Sequence, residues 1–187
     1  MIGIEKILQL NQQLSNESIE LLLSKGTMVE KTKNETIIHQ GKIENFSYFI
    51  LEGCAKAHLN HDGKDINFWF GFEGDFLFSY NSKISKQPGY ENISTLEKSL
   101  LWKISNDDLE ILYKTNLEIA NWSRKLTEIE LIKTEKRLLD FQTKSATSRY
   151  EELLQRHPEI LHRISLGNIA SYLGISQVSL SRIRSQY

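Results

Sequence analysis

The stretch Arg163-Ile-Ser-Leu-Gly-Asn-Ile-Ala-Ser-Tyr-Leu-Gly-Ile-Ser-Gln-Val-Ser-Leu-Ser-Arg-Ile-Arg-Ser-Gln-Tyr187 decides how the chain is read. Ser165 can cap a helix, Gly174 can end it in a left-handed conformation, and Ser176 can cap a second helix that begins at Gln177. Ile169 and Leu173 lie one turn apart on the first helix, Leu180 and Ile183 on the second, and Ile175 can fill the gap between them. Ala170 falls where two crossing helices touch, a place that calls for a small side chain. The pattern is that of a helix-turn-helix, a unit that enters the DNA major groove.

The outer face of the second helix carries Gln177, Ser181, Arg182 and Arg184, with Ser185 and Gln186 beyond. With Ser176 and Ser179 these are the expected contacts to double-stranded DNA, since they can donate to phosphates and base edges. From Ile160 onward there are three arginines, Arg163, Arg182 and Arg184, and no Asp or Glu. The whole chain balances 23 basic against 24 acidic residues, so any attraction to DNA must come from this patch and not from net charge.

At 187 residues and 40% hydrophobic content the chain can bury a real core in one large or two small domains. No apolar run approaches the ~18 to 20 residues needed to cross a bilayer. The start, Met-Ile-Gly-Ile-Glu-Lys, lacks a basic segment followed by an apolar one, so a cytoplasmic protein is expected. Cys54 is the one cysteine and reads as a small core residue, because a disulfide needs a second thiol and an iron-sulfur cluster needs about four ligands. His58 and His61 have the H-x-x-H spacing of a metal pair, but His39, His157 and His162 offer no further ligand at a useful spacing, so no metal site is expected. No phosphate-cradling loop or nucleophile elbow is present, so no enzymatic activity is expected.

Upstream, Ile4, Ile7, Leu8, Leu10 and Leu14 recur near the helix period, and Ser15 or Asn16 can restart a helix with Ile19, Leu22 and Leu23 inward. From Thr27 to about Ser105 short β-branched and aromatic runs are punctuated by Gly41, Gly53, Gly63, Gly71 and Gly74, at roughly the 8 to 12 residue spacing of an antiparallel sandwich or barrel. Ser47 to Leu51, Ile66 to Phe70 and Leu100 to Ile104 read as strands, and His61-Asp-Gly-Lys64 as a hairpin tip. A small β-barrel is the economical expectation. Helix returns from about Asp107, capped by Ser105 or Asn106, and a longer helix is predicted from about Asn116 to Lys144. Its residues Ile119, Trp122, Leu126 and Ile129 form a narrow apolar seam, and Leu131, Ile132, Leu138 and Leu139 form a second stripe. A further helix runs from Ser145 to Gln155.

The order Gly41, Tyr48-Phe-Ile-Leu-Glu-Gly53, Gly63, Gly74-Asp-Phe76 and a closing strand at Ile104-Ser105, followed by a long helix and the C-terminal tail, resembles the Crp/Fnr family of bacterial transcription regulators. The resemblance implies an α+β fold: an antiparallel β-barrel of double-stranded β-helix type over 1–114, a connecting helix over 115–144 through which the chain forms a homodimer, and a helix-turn-helix module over 145–187. The sequence ends at Tyr187, so no winged hairpin is expected after the second helix. In this family a guanine-reading arginine matches Arg182.

The departures from the family are as informative. Cyclic-nucleotide binders follow Gly-Asp-Phe after one residue with Gly-Glu, and later supply an Arg-Ser pair for the phosphate; here Phe78-Ser79 and Gly89-Tyr90 stand at those places. Between Phe76 and Leu100 the cations are Lys83, Lys86 and Lys98, with no arginine, and a buried phosphate needs positive charge or converging N–H groups. Cyclic AMP binding is therefore not expected. The effector is an unidentified small molecule, and its expected contacts are Phe68, Phe70, Phe76, Phe78, Ser79, Tyr80 and Tyr90. The competing reading is a cupin-like barrel that binds a small molecule or metal, with the tail as a protein-interaction hairpin.

Overall fold

The structure, a computed structural model, describes residues 3–10 and 13–185; Gln186 and Tyr187 of the stretch quoted above lie outside the described residues. Two short helices open the chain, α1 (Ile4–Leu8) and α2 (Asn16–Leu23), the second capped by Ser15, whose hydroxyl accepts from Ser18 N. Eight strands follow: β1 (Gly26–Lys31), β2 (Thr36–Ile38), β3 (Phe46–Glu52), β4 (Ala55–His61), β5 (Lys64–Gly71), β6 (Phe76–Leu77), β7 (Asn92–Thr95) and β8 (Ser99–Ser105). The β4–β5 hairpin turns at Asp62 and Gly63, both with positive φ, as a two-residue tip requires.

The strands form two four-stranded antiparallel sheets in the orders β1-β8-β3-β6 and β2-β7-β4-β5, so the expected closed barrel is corrected to a sandwich. The physical reason lies at the edge strands β6 and β5, which are covered by a helix and not paired with each other. That helix, α4 (Leu117–Thr143), accepts from Trp69 Nε1 on Glu130 Oε1 at 2.9 Å, brings Lys133 within 3.6 Å of Asp75, and donates from Arg137 to the Phe68 carbonyl. Covering an edge removes the same unpaired backbone that closure would remove.

Alternation along β3 divides the core. Tyr48 and Ile50 face the second sheet, with Ile38, Ala57, Ile93 and Leu101, whereas Phe49 and Leu51 face the helices. On the helical side Trp122 is 1% exposed, its ring centroid lies 5.8 Å from that of Phe49, and its Nε1 donates to Leu8 O at 2.8 Å. One aromatic residue therefore joins α1, α4 and the first sheet. Helix α3 (Asn106–Thr115) precedes α4; Ser105, one of the two caps expected, caps α3, and Asn116 caps α4.

The apolar seam of α4 needs a correction. Ile119 and Trp122 are buried and Leu126 packs on the same cluster, so this seam meets its own sandwich and does not lie free for a second chain. Spacing identifies an apolar face but not the surface that it meets. Farther along, Leu131, Ile132, Leu138 and Leu139 are 53 to 65% exposed.

Four helices end the chain: α5 (Ala146–Arg156), capped by Ser145, α6 (Ile160–Arg163), α7 (Leu166–Leu173) and α8 (Gln177–Arg184). Helix α6 lacks the length to show a period in the sequence. Tyr150, Leu153, Ile160, Ile164, Ile169, Leu173 and Leu180 form one apolar cluster that also takes in Cys54, Phe70 and Leu96 of the sandwich. The layers are thus helices, sheet, sheet, helices.

Replacing Trp122 by Ala should cost about 3 to 5 kcal/mol, because it opens a cavity at the junction of α1, α4 and the first sheet. Trp122→Phe should cost less but still destabilise, since it leaves the Leu8 carbonyl without its donor. Urea unfolding of the three proteins tests the order.

Candidate functional site

The local sequence builds the last two helices as predicted. Ser165 Oγ accepts from Asn168 N at 3.4 Å, Gly174 takes φ 68°, and Ser176 Oγ accepts from Ser179 N at 3.1 Å. A side chain on Gly174 would be strained and would begin 3.0 Å from Phe141 Cε1, so glycine also lets the end of α4 pack beside this turn. Leu180 and Ile169 are fully buried, Ala170 nearly so, and Ile175 N closes on Ala170 O at 3.0 Å. Around them Ser176, Gln177, Ser181, Arg182 and Arg184 are exposed, and Ser179 is half-buried with its hydroxyl 2.9 Å from Ser176 Oγ. Among the described residues neither Arg182 nor Arg184 pairs with a carboxylate.

Arg163, counted in the basic patch from sequence, is turned the other way. Its Nη1 and Nη2 donate to Glu73 at 3.0 and 2.7 Å, and its Nε donates to Glu97 at 3.0 Å, all on the sandwich. Burial opposes ionisation of Glu73, but the Arg163 hydrogen bonds and the Gly53 N–H outweigh it and hold the carboxyl below its usual range. The same hydrogen bonds raise Arg163. Cys54 lies beside this clamp, fully buried, and burial with the nearby Glu97 pushes its thiol up to about 12. It is the inert core residue that the sequence implied.

The polar part of the same contact joins α7 to β5. Ser171 Oγ donates to Asp65 O and accepts from Asn67 N, both at 2.9 Å, and Asn168 Oδ1 accepts from Asn67 Nδ2 and Lys56 Nζ at 3.1 and 3.2 Å. His58 lies beneath, Nε2 3.2 Å from Ser94 Oγ and Nδ1 3.4 Å from Asp65 Oδ2 without hydrogen-bond alignment. Its partner in the H-x-x-H pair, His61, is out at the exposed hairpin tip. His157, after α5, stacks on Phe72 at 4.3 Å.

The aromatic residues expected to hold an effector separate into three places, and Ser79 lies in a fourth, beside Gly89. Phe76, Phe78 and Tyr80 run ring to ring at 5.0 and 4.5 Å and, with Leu126, Ile129 and Glu130 of α4, line a cleft of about 40 Å³. Phe68 pairs with Tyr90 at 6.2 Å. Phe70 stands apart, its ring 4.8 Å from Tyr172 in the contact with α7. Such a cleft has room for about one or two waters, against the 300 Å³ or more of a typical small-molecule pocket.

The segment between β6 and β7 carries a π-helical turn, Asn81–Ser85, and two groups that spacing did not flag. Lys83 is buried; its Nζ lies 4.9 and 4.6 Å from the centroids of the Phe76 and Phe78 rings and donates to Tyr113 OH at 3.2 Å. Burial pushes its ammonium down to about 8. Ser79 and Glu91 converge on Gly89: a side chain there would start 2.6 Å from Ser79 Oγ and 3.4 and 3.5 Å from the two carboxylate oxygens. Glu91 is 4% exposed, and its Oε2 has no hydrogen-bond partner among the described residues. The sequence signal was present but negative, in the missing arginine at Gly89.

Residues 28–116 match the cyclic nucleotide-binding domain family. No protein of curated function matches the sequence. Among solved structures, FixK2 from Bradyrhizobium japonicum is similar with a TM-score of 0.76 and 20% identity over 86% of this chain and 83% of that one. The c-di-GMP-responsive global regulator CLP of Xanthomonas campestris gives 0.73 and 16% over 92% and 91%. The catabolite activator protein of Thermus thermophilus gives 0.60 and 20% over 96% and 85%. The chain thus contains a cyclic nucleotide-binding domain, and the Crp/Fnr resemblance extends to its fold. No helix among the described residues is long and apolar enough to cross a membrane.

The contact between sandwich and C-terminal helices should weaken in mild acid. Burial and Lys56 on β4 hold His58 below its ordinary value near 6.5 against the pull of Asp65 on β5, and α7 brings only the uncharged Asn168 and Ser171. Burial, Arg156 and Lys133 of α4 likewise lower His157. Depressed histidines bind fewer protons in the packed state, so their contribution is complete above about pH 6.5 and is lost as pH falls below it. Backbone amides of α7 should therefore exchange faster with deuterium at pH 5.5 than at 7.5, after correction for intrinsic rates. The double variant His58→Gln, His157→Gln should flatten the difference.

Proposed function

We propose that this chain, a cyclic nucleotide-binding domain carried in a Crp/Fnr regulator fold, is a DNA-binding transcriptional regulator that acts as a homodimer and senses a molecule other than cyclic AMP. The observation that carries the reading is α8: a helix with a capped N-terminus, one buried seam and an outer face of Gln177, Ser181, Arg182 and Arg184 whose two guanidinium groups lack carboxylate partners among the described residues. A helix-turn-helix lays such a helix in the major groove with its first turns nearest the bases. Gln177 suits a base edge there, and Arg182, five residues on, suits a bidentate pair with guanine worth about 1 to 3 kcal/mol of discrimination. Arg184 lies farther along and suits a phosphate, which adds affinity and salt dependence but little selectivity. Arg163 takes no part, because its guanidinium is committed to Glu73 and Glu97.

The exposed stripe on α4 supports the homodimer. Leu131 and Leu138 are seven residues apart, as are Ile132 and Leu139, which is the repeat of a two-helix seam, and four large side chains over half exposed in one row need a cover. Two copies joined there would offer two α8 helices to an inverted repeat, with half-sites about one helical turn apart.

Against cyclic AMP stands the chemistry at Gly89. A buried carboxylate and a serine hydroxyl occupy the place where a phosphate would need cations. Each absent charge-assisted contact is worth about 1.5 to 3 kcal/mol, so losing the glutamate and the arginine weakens binding by roughly two to four powers of ten.

Three outcomes are expected. Sites selected from a random pool by the wild-type protein should form an inverted repeat, and Arg182→Ala should lose the preference for one guanine in each half-site; an unchanged consensus would remove Arg182 from the reading. Light scattering should give twice the 21.7 kDa chain mass, reverting to one mass with Leu131→Glu, Leu138→Glu. Calorimetry should detect no micromolar binding of cyclic AMP.

A further inference from the structure

Glu91 occupies an unusual position. It immediately precedes β7, two residues before Ile93, which is part of the core between the sheets. Its carboxyl group is 96% withdrawn from solvent with its residue, and Oε2 meets no donor among the described residues. Ser79 Oγ approaches the same point above Gly89. The nearest cation of this segment in sequence, Lys86, is exposed, and Lys83 sits among Phe76, Phe78 and Tyr113. A buried carboxyl oxygen held this way lacks its hydrogen-bond partner, and a group that brings donors to it would supply one.

We infer that the segment between β6 and β7 is an ammonium-binding site, in which Glu91 and Ser79 accept N–H donors from a small primary amine. An ammonium group has three donors, and the two carboxylate oxygens with the Ser79 hydroxyl supply acceptors for them. Tyr90, half exposed beside Glu91 and paired with Phe68, offers ring surface to the rest of such a molecule, where a cation or an apolar tail is favoured. The site inverts the sign of charge that a phosphate ligand demands. Calling the amine an effector rests on the sensor reading above; the binding site does not.

The test uses the full chain and three probes of similar size: phenethylamine, the neutral phenethyl alcohol and the anionic 3-phenylpropionate. Thermal melting and calorimetry at constant ionic strength should show that millimolar phenethylamine raises the melting temperature by about 2 °C or more while the other two do not. Methylammonium should compete with it. Glu91→Gln keeps the shape and removes the charge, and should weaken the amine by at least about tenfold. An amine no better than its alcohol, an amine without effect, or an unchanged affinity in the Gln variant would overturn the site. Should that variant fold poorly, the comparison of amine with alcohol on the wild-type chain decides alone. Amine binding that leaves DNA affinity unaltered would remove the effector role but keep the site, whereas DNA binding without amine binding would remove the site and keep the DNA-binding reading.

Discussion

Arg163 reaches from the end of α6 across to Glu73 and Glu97, and around this clamp Cys54, Phe70 and Leu96 of the sandwich close one apolar cluster with α5 to α8. The last helices are short, eight residues each in α7 and α8, and helices of that length are marginal in isolation. They hold their shape because Ile169, Leu173 and Leu180 are buried and because the second sheet supplies part of what buries them. Whatever alters the sheet is thereby felt at α7. The contact is mixed: the clamp and the Asn67–Asn168–Ser171 hydrogen bonds fix register, while the apolar cluster supplies the larger share of the free energy.

Helix α4 does three different jobs along its length. Its first half, through Ile119 and Trp122, belongs to the core beneath the first sheet; its middle covers the open edges of β5 and β6; its second half presents Leu131, Ile132, Leu138 and Leu139 to the outside. A displacement in the segment between β6 and β7 has a direct route to it, because Lys83 donates to Tyr113 OH and Ser123 of α4 donates to the same oxygen. The end of α4 then packs Phe141 beside the Gly174 turn. Sandwich, connecting helix and C-terminal pair are in physical contact at each step.

Much of this was legible in the sequence. Every cap proposed from Ser15, Ser165 and Ser176 is made, as is the Gly174 helix end, because these depend on residues within one turn. The strands and the Asp62-Gly63 tip follow for the same local reason. What failed was long-range. Ile119 and Trp122 look equally apolar whether they meet a sandwich or a partner, and Arg163 looks basic until Glu73 and Glu97, some 90 and 66 residues away, come within reach. Closure of a barrel against two open sheets is likewise decided by what covers β5 and β6, not by glycine spacing. For the site, the missing arginine at Gly89 was visible, but the unpaired Glu91 that replaces its charge required the fold.

The reading as a whole depends on α8 meeting DNA from a sandwich-supported, paired scaffold. Hydroxyl-radical footprinting of genomic fragments retained by the purified full-length protein tests this most directly. The account predicts two protected patches about one helical turn apart on one face of the duplex, over an inverted repeat. Retention of no fragment above background at low salt, or protection without any repeated sequence, would contradict it.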